Sequence, residues 1–203
     1  LKKDDMKGCL CAVVDVLRAT STIITALANG AIEIYPCKTV EQAKESVAKL
    51  PRNSYILGGE EMGDRIPGFD MGNSPFEYVS REVVGSKVIY SYTTNGTGAI
   101  RRAYEQSGNL VYIAALLNVS AASAALVKVA SANEFAGITI LCAGRQGQPS
   151  EEDNFCAGLM VDTLGRGLKS CGIVSKLGET ASTVMKDALS NRGHSLEVLR
   201  SSE

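Results

Sequence analysis

Asp15 and Arg18 stand where an apolar run ends. Gly8 to Val14 is small or hydrophobic throughout, and Asp15 is followed by Val16-Leu17-Arg18-Ala19-Thr20-Ser21-Thr22. The run predicts a buried strand and the hydroxyl-rich stretch predicts the start of a helix, the junction at which open α/β sheets keep their ligands. A carboxylate at that point can hold a metal ion or act as a nucleophile. The guanidinium and the N–H groups of the following helix can hold an anion. The same pair also suits a plain helix cap and a solvated surface cation.

Further junctions carry more polar groups than capping needs. Thr93-Thr94-Asn95-Gly96-Thr97-Gly98 offers hydroxyls, an amide and bare backbone, which reads as an oxyanion cradle or as a simple turn. It lacks the spacing of a P-loop. Asn118 and Ser120, after Leu116-Leu117, either cap the next helix or face a ligand. Arg145, in Cys142-Ala143-Gly144-Arg145-Gln146-Gly147, offers a planar anion clamp, and Glu152 and Asp153 can hold a divalent cation or complement a helix dipole. A long loop from Gly58 to Asn73, with Glu60, Glu61, Asp64, Arg65 and Asp70, suits the rim of a site. Together these groups fit metal-assisted chemistry on a phosphorylated small molecule.

The elements that must position them alternate between short β-rich runs and longer helical segments, which predicts βα units around a largely parallel or mixed sheet, in one α/β domain with two sublobes as a variant. Strands are expected at Cys9–Val14, 31–37, 55–57, 87–92, 110–114 and 138–142. Thr39 with Gln42 makes a capping box, and Pro51 stops that helix. Ser74-Pro75 with Glu77 predicts another capped helix, ended by Gly85. Helices are also expected over 97–106, 120–132, from Ser150 to Leu168, over 180–189 and over 195–200. The Ala- and Ser-rich segment 120–132 suits close packing against the sheet or against a second copy of the chain in a homodimer.

The chain has 203 residues, 45% hydrophobic and 21% charged, with a net charge of -1. That composition excludes wholesale disorder, a membrane span and a general nucleic-acid footprint. Six cysteines form no Cys-x-x-Cys pair and His194 is the single histidine, which argues against structural zinc. None of the cysteines has the arginine that a tyrosine-phosphatase loop requires. They read as reduced thiols, which points to the cytoplasm. The N-terminal residues lack the pattern of a signal peptide, although a removed targeting segment is compatible with them.

Five strings, in this order, resemble the 2-phosphosulfolactate phosphatase (ComB-type) family: Asp15 to Thr22, Gly68-Phe69-Asp70-Met71-Gly72-Asn73-Ser74-Pro75, Thr93 to Thr97, Ala115 to Ser120, and Cys142-Ala143-Gly144 with Glu152-Asp153 and Cys156-Ala157-Gly158. The resemblance spans most of residues 9–165. It implies an α/β fold and a magnesium-dependent phosphomonoesterase that converts 2-phospho-3-sulfolactate to sulfolactate and phosphate, a step towards coenzyme M. Within it, Asp15, Glu60, Glu152 and Asp153 are candidates for metal binding. Asp15 is also the candidate nucleophile or water-positioning base, and Arg18 and Glu152 complete the catalytic set. Thr93, Thr94, Asn95, Thr97 and Arg145 would hold the phosphate and the sulfonate or carboxylate, with Asn73 and Asn118 as further polar contacts.

Two departures bear on specificity. Glu61 follows Gly59-Glu60 where the family commonly carries Arg, and Arg145-Gln146-Gly147-Gln148-Pro149 differs from the usual form. Beside 2-phospho-3-sulfolactate they leave open a related phosphorylated hydroxy acid as substrate, and as the alternative a non-catalytic anion-binding or regulatory module of the same fold. A haloacid-dehalogenase phosphatase is excluded, because Leu17 stands where it needs a second Asp.

Overall fold

The computed structural model describes residues 6–108 and 110–201. Two sheets carry the fold. In the first, β1 (Cys9–Val14) lies between β6 (Val111–Ala114) and β7 (Gly137–Cys142), parallel to both, with Val14 opposite Ala114 and Cys142. Every residue of β1 is buried, because both faces of the strand are covered. Leu10, Ala12 and Val14 pack on one side with Ala122, Leu126, Met160 and Leu164 of α5 (Val119–Ala132) and α6 (Glu151–Ser170). Cys9, Cys11 and Val13 pack on the other with Ala103 of α4 (Gly96–Ser107). Strand alternation thus divides a continuous apolar run between two helical layers.

The second sheet has the order β2 (Glu33–Pro36), β5 (Val88–Tyr92), β3 (Tyr55–Glu61) and β4 (Asp64–Arg65). Its first two pairings are parallel and the last is antiparallel. Ile56 and Ile89 pack with Ala26 of α1 (Ala19–Ala28), and Leu57 packs with Ala43 and Val47 of α2 (Val40–Val47). After α6, the chain ends in α7 (Glu179–Ser190) and α8 (Ser195–Ser201), and α7 lies along α6. No helix among the described residues is long and apolar enough to cross a membrane.

Several expected elements differ. The strand expected at 55–57 continues through Glu61 and returns as β4, so the start of the expected long loop is a hairpin. Gly59 permits this, since a Cβ there would run into the Tyr92 carbonyl of the neighbouring strand. The helix expected after Ser74 is a 3₁₀ turn over Pro75–Tyr78 followed by the short α3 (Arg81–Val84). Ser74 makes no side-chain cap, and the Glu77 carboxylate instead accepts the Gly72 N–H at 2.9 Å. Ser150 occupies the N-cap of α6 without a side-chain cap bond. At α2, Thr39 does cap the Gln42 N–H at 3.1 Å, while the Gln42 side chain reaches the Lys38 N–H rather than that of Thr39. Four of the six cysteines are buried, Cys142 is half-buried and Cys171 is exposed, all as free thiols.

Candidate active site

Asp15 follows the last residue of β1 and is 7% exposed. Its Oδ1 accepts the Ala19 N–H at 3.1 Å, which draws the first turn of α1 over the strand end. The Thr20 hydroxyl donates to the Asp15 carbonyl at 2.7 Å, that of Ser21 to the Val16 carbonyl at 2.7 Å, and that of Thr22 to the Asn73 carbonyl at 3.0 Å. These hydroxyls are therefore occupied in holding backbone. Asn73 itself is buried and tied to α1 by that bond. The Leu17–Arg18 peptide bond is cis, and the half-buried Arg18 reaches the Gly63 carbonyl at 3.4 Å.

Asp15 Oδ2 lies against the start of α4. A Cβ on Gly96 would stand 2.6 Å from it and 3.2 Å from the Thr93 hydroxyl, and would run into the Ala19 side chain. Only a glycine lets a helix N-terminus approach the carboxylate this closely. Thr93 and Thr97 brace that terminus: the Thr97 N–H donates to the Thr93 hydroxyl at 3.0 Å, and the Thr97 hydroxyl donates to the Thr93 carbonyl at 2.8 Å. The N–H groups of Asn95, Gly96 and Gly98 donate to no partner among the described residues. These donors escape a sequence reading centred on side chains, although the glycines beside Asn95 are their signal.

The other carboxylates arrive from β3 and α6. Glu60 is buried at the end of β3. It accepts the Thr94 N–H at 2.7 Å, the Thr94 hydroxyl at 3.0 Å and the Gly63 N–H at 2.7 Å. Asp153, in the first turn of α6, accepts the Val16 N–H at 2.8 Å and the Gly144 N–H at 3.0 Å, so it joins the loops after β1 and β7. Glu152 is 6% exposed, and its Oε2 has no hydrogen-bond partner among the described residues. Burial pushes the Asp15 carboxyl up to about 7; the Asp153 charge adds to this, the Ala19 N–H opposes it, and Glu60 and Glu152 raise it further. Burial likewise raises Asp153. It also lifts the Cys142 thiol to about 12, which leaves that cysteine inert as a nucleophile.

The remaining candidates lie around this cluster in different ways. Asn95 is half-buried at the N-cap of α4. Arg145 is exposed in a tight turn, where it exchanges backbone hydrogen bonds with Gln148 at 2.9 and 3.0 Å. Asn118 is engaged within its own turn: Oδ1 accepts the Ala115 N–H at 2.9 Å and Nδ2 donates to the Ile113 carbonyl at 3.0 Å. Glu61 is exposed, one strand position beyond the buried Glu60, so the two carboxylates leave β3 on opposite faces. No three His, Cys, Asp or Glu side chains among the described residues converge closely enough to hold a metal ion alone.

The sequence profile of the 2-phosphosulpholactate phosphatase family matches residues 1–203. A probable 2-phosphosulfolactate phosphatase of Symbiobacterium thermophilum is 42% identical over 161 residues, covering 79% of this chain and 66% of the relative. Proteins with the same description from Clostridium beijerinckii and Gloeobacter violaceus are 39% identical over 155 residues and 41% over 156, each match covering 76% of this chain and 62% and 63% of the relative. The chain thus spans slightly less than two thirds of the length of these relatives. With a profile match over its whole length, an α/β fold, and relatives of this identity, the chain belongs to the 2-phosphosulfolactate phosphatase family.

Proposed function

We propose that the chain hydrolyses a phosphomonoester of a small hydroxy acid, 2-phospho-3-sulfolactate in the first instance, with Mg²⁺ bound. The observation that carries this reading is the approach of Asp15 to the α4 N-terminus, where a buried carboxylate with an open oxygen lies beside N–H groups that have no partner among the described residues. Phosphate seated there would take the N–H groups of Asn95, Gly96 and Gly98 on its oxygens, with the helix dipole aligned to its charge. Arg18 and Arg145 would supply cationic contacts to the phosphate and to the acid groups of the substrate.

Of the four candidate acids Asp15, Glu60, Glu152 and Asp153, Asp15 and Glu152 each have an oxygen that accepts no hydrogen bond among the described residues, and they fit a magnesium ion, which commonly takes one or two carboxylates and completes its shell with water and substrate phosphate. When bound, the ion would neutralise charge on the phosphoryl oxygens. Asp15 faces the phosphorus as nucleophile or as the base that orients a water. Burial raises its proton affinity, and a cation bound beside it would favour the ionised form.

The test is phosphate release from 2-phospho-3-sulfolactate and from a panel of phosphorylated hydroxy acids, with Mg²⁺ and with chelator. Release should require the cation and fall at least about a thousandfold in folded Asp15→Asn. Absence of release from every substrate by the folded wild-type chain with Mg²⁺ overturns the reading.

A further inference from the structure

Glu60 shares the acidic chemistry of Asp15 and Glu152 and has a different set of partners. Three donors reach its carboxylate: the N–H and the hydroxyl of Thr94, after β5, and the N–H of Gly63, in the β3–β4 turn. The Thr94 hydroxyl in turn accepts the Met62 N–H at 2.9 Å, and the Gly63 carbonyl receives the Arg18 guanidinium at 3.4 Å. One buried side chain therefore joins the loop after β5 to the hairpin turn, and that turn meets the Arg18 segment. Both Thr94 donors point to Glu60, and the N–H groups that follow, those of Asn95 and of Gly96 and Gly98 at the start of α4, have no partner among the described residues.

We propose that Glu60 is a positioning residue for the anion pocket: by drawing the Thr94 N–H inward it fixes the loop so that the next N–H groups face the phosphate, and through Gly63 it sets the carbonyl against which Arg18 rests. The proposal rests on the reading of that pocket as a phosphate site. It gives Glu60 no direct contact with substrate or metal, and it makes Thr94 part of the frame and not of the phosphate shell. A glutamine at this position keeps one acceptor oxygen and turns an NH₂ group towards donors. The Thr94 hydroxyl can reverse its role, whereas the Gly63 N–H cannot.

The experiment measures binding of Mg²⁺ alone, and of inorganic phosphate at saturating Mg²⁺, by calorimetry on the full chain and on Glu60→Gln. Phosphate binding should weaken about tenfold while Mg²⁺ affinity stays within about twofold, and in turnover KM should rise with kcat within about threefold. Thr94→Val, which removes the hydroxyl that donates to Glu60 and accepts the Met62 N–H but leaves the Thr94 N–H on Glu60, should weaken phosphate binding a few-fold with Mg²⁺ binding unchanged, and keeps the test open if Glu60→Gln does not fold. A fall in Mg²⁺ affinity of about tenfold or more in Glu60→Gln would make it a ligand and overturn the proposal. Equal phosphate binding by the wild type and both variants, or none by the wild type, also overturns it. Phosphate binding by a wild type that turns over no substrate sinks the enzymatic reading and leaves the positioning role standing.

Discussion

At the carboxyl end of β1 and β7, three buried carboxylates, Asp15, Glu152 and Asp153, meet three backbone N–H groups, those of Ala19, Val16 and Gly144. At the carboxyl end of β3 and β5, Glu60 alone meets two N–H groups and a hydroxyl. The second region is balanced; the first carries more negative charge than its donors can take up. A buried carboxylate with too few donors holds its proton or waits for a cation, and Asp15 sits in that state with its proton held up to about 7. The difference separates frame from proposed chemistry: acids with both oxygens engaged hold loops, and on the proposed function acids with an open oxygen would face the ligand.

The comparison predicts opposite signs for two substitutions at one strand end. Asp153→Ala strips the Val16 and Gly144 N–H groups of their acceptor at a buried position, and should lower unfolding stability by about 3 kcal/mol in urea at pH 8, even after relief of charge repulsion. A stabilised Asp153→Ala would mean that the charge of this acid outweighs its bonds, and the distinction between the two regions would fail.

Asp15→Asn should do the reverse. In the unfolded chain this carboxyl ionises near 3.8, while in the folded chain it keeps its proton to about 7. Between those values the unfolded state has released a proton that the folded state still holds, so stability from this group falls as pH rises, and above about 7 the loss is constant. Without divalent cation at pH 8, Asp15→Asn should therefore be more stable than the wild type by about 2 kcal/mol, and its melting temperature should fall less between pH 4 and pH 7. Added Mg²⁺ should raise the wild-type melting temperature and leave that of the variant nearly unmoved.

Where Asp15 would lie was legible in the sequence, because the run Cys9–Val14 has no polar residue and must end at it. The Thr39 cap was legible for a similar reason, since its partner lies within one turn. Which acids are engaged was not. The Asp153 bond to Val16 closes 137 residues of separation and the Glu60 bonds to Thr94 close 34, distances over which periodicity and capping rules carry no information. The β3 extension was hidden because Gly58 and Gly59 read as loop; in the structure each leaves room for a neighbour, the Tyr78 hydroxyl and the Tyr92 carbonyl. Ser74 and Ser150 show the limit of local rules from the other side, since both occupy N-cap positions without making the cap bond.

Asn118 gives the smallest effect and the finest test of the same division. Its amide lies at the carboxyl end of β6, in the same sheet as Asp15, and its type suits substrate contact. Both its polar atoms, however, are engaged with the Ala115 N–H and the Ile113 carbonyl of its own turn, which places it with Asp153 and Glu60 as frame. Asn118→Ala should lower stability by about 1 kcal/mol, less than Asp153→Ala because the position is half-buried and water can replace part of what is lost. Measured well below the melting temperature, KM and kcat should stay within about twofold of the wild type. A selective rise in KM would show that the amide reaches the substrate despite its engaged atoms, and hydrogen-bond accounting would then no longer separate frame from ligand shell at this sheet end.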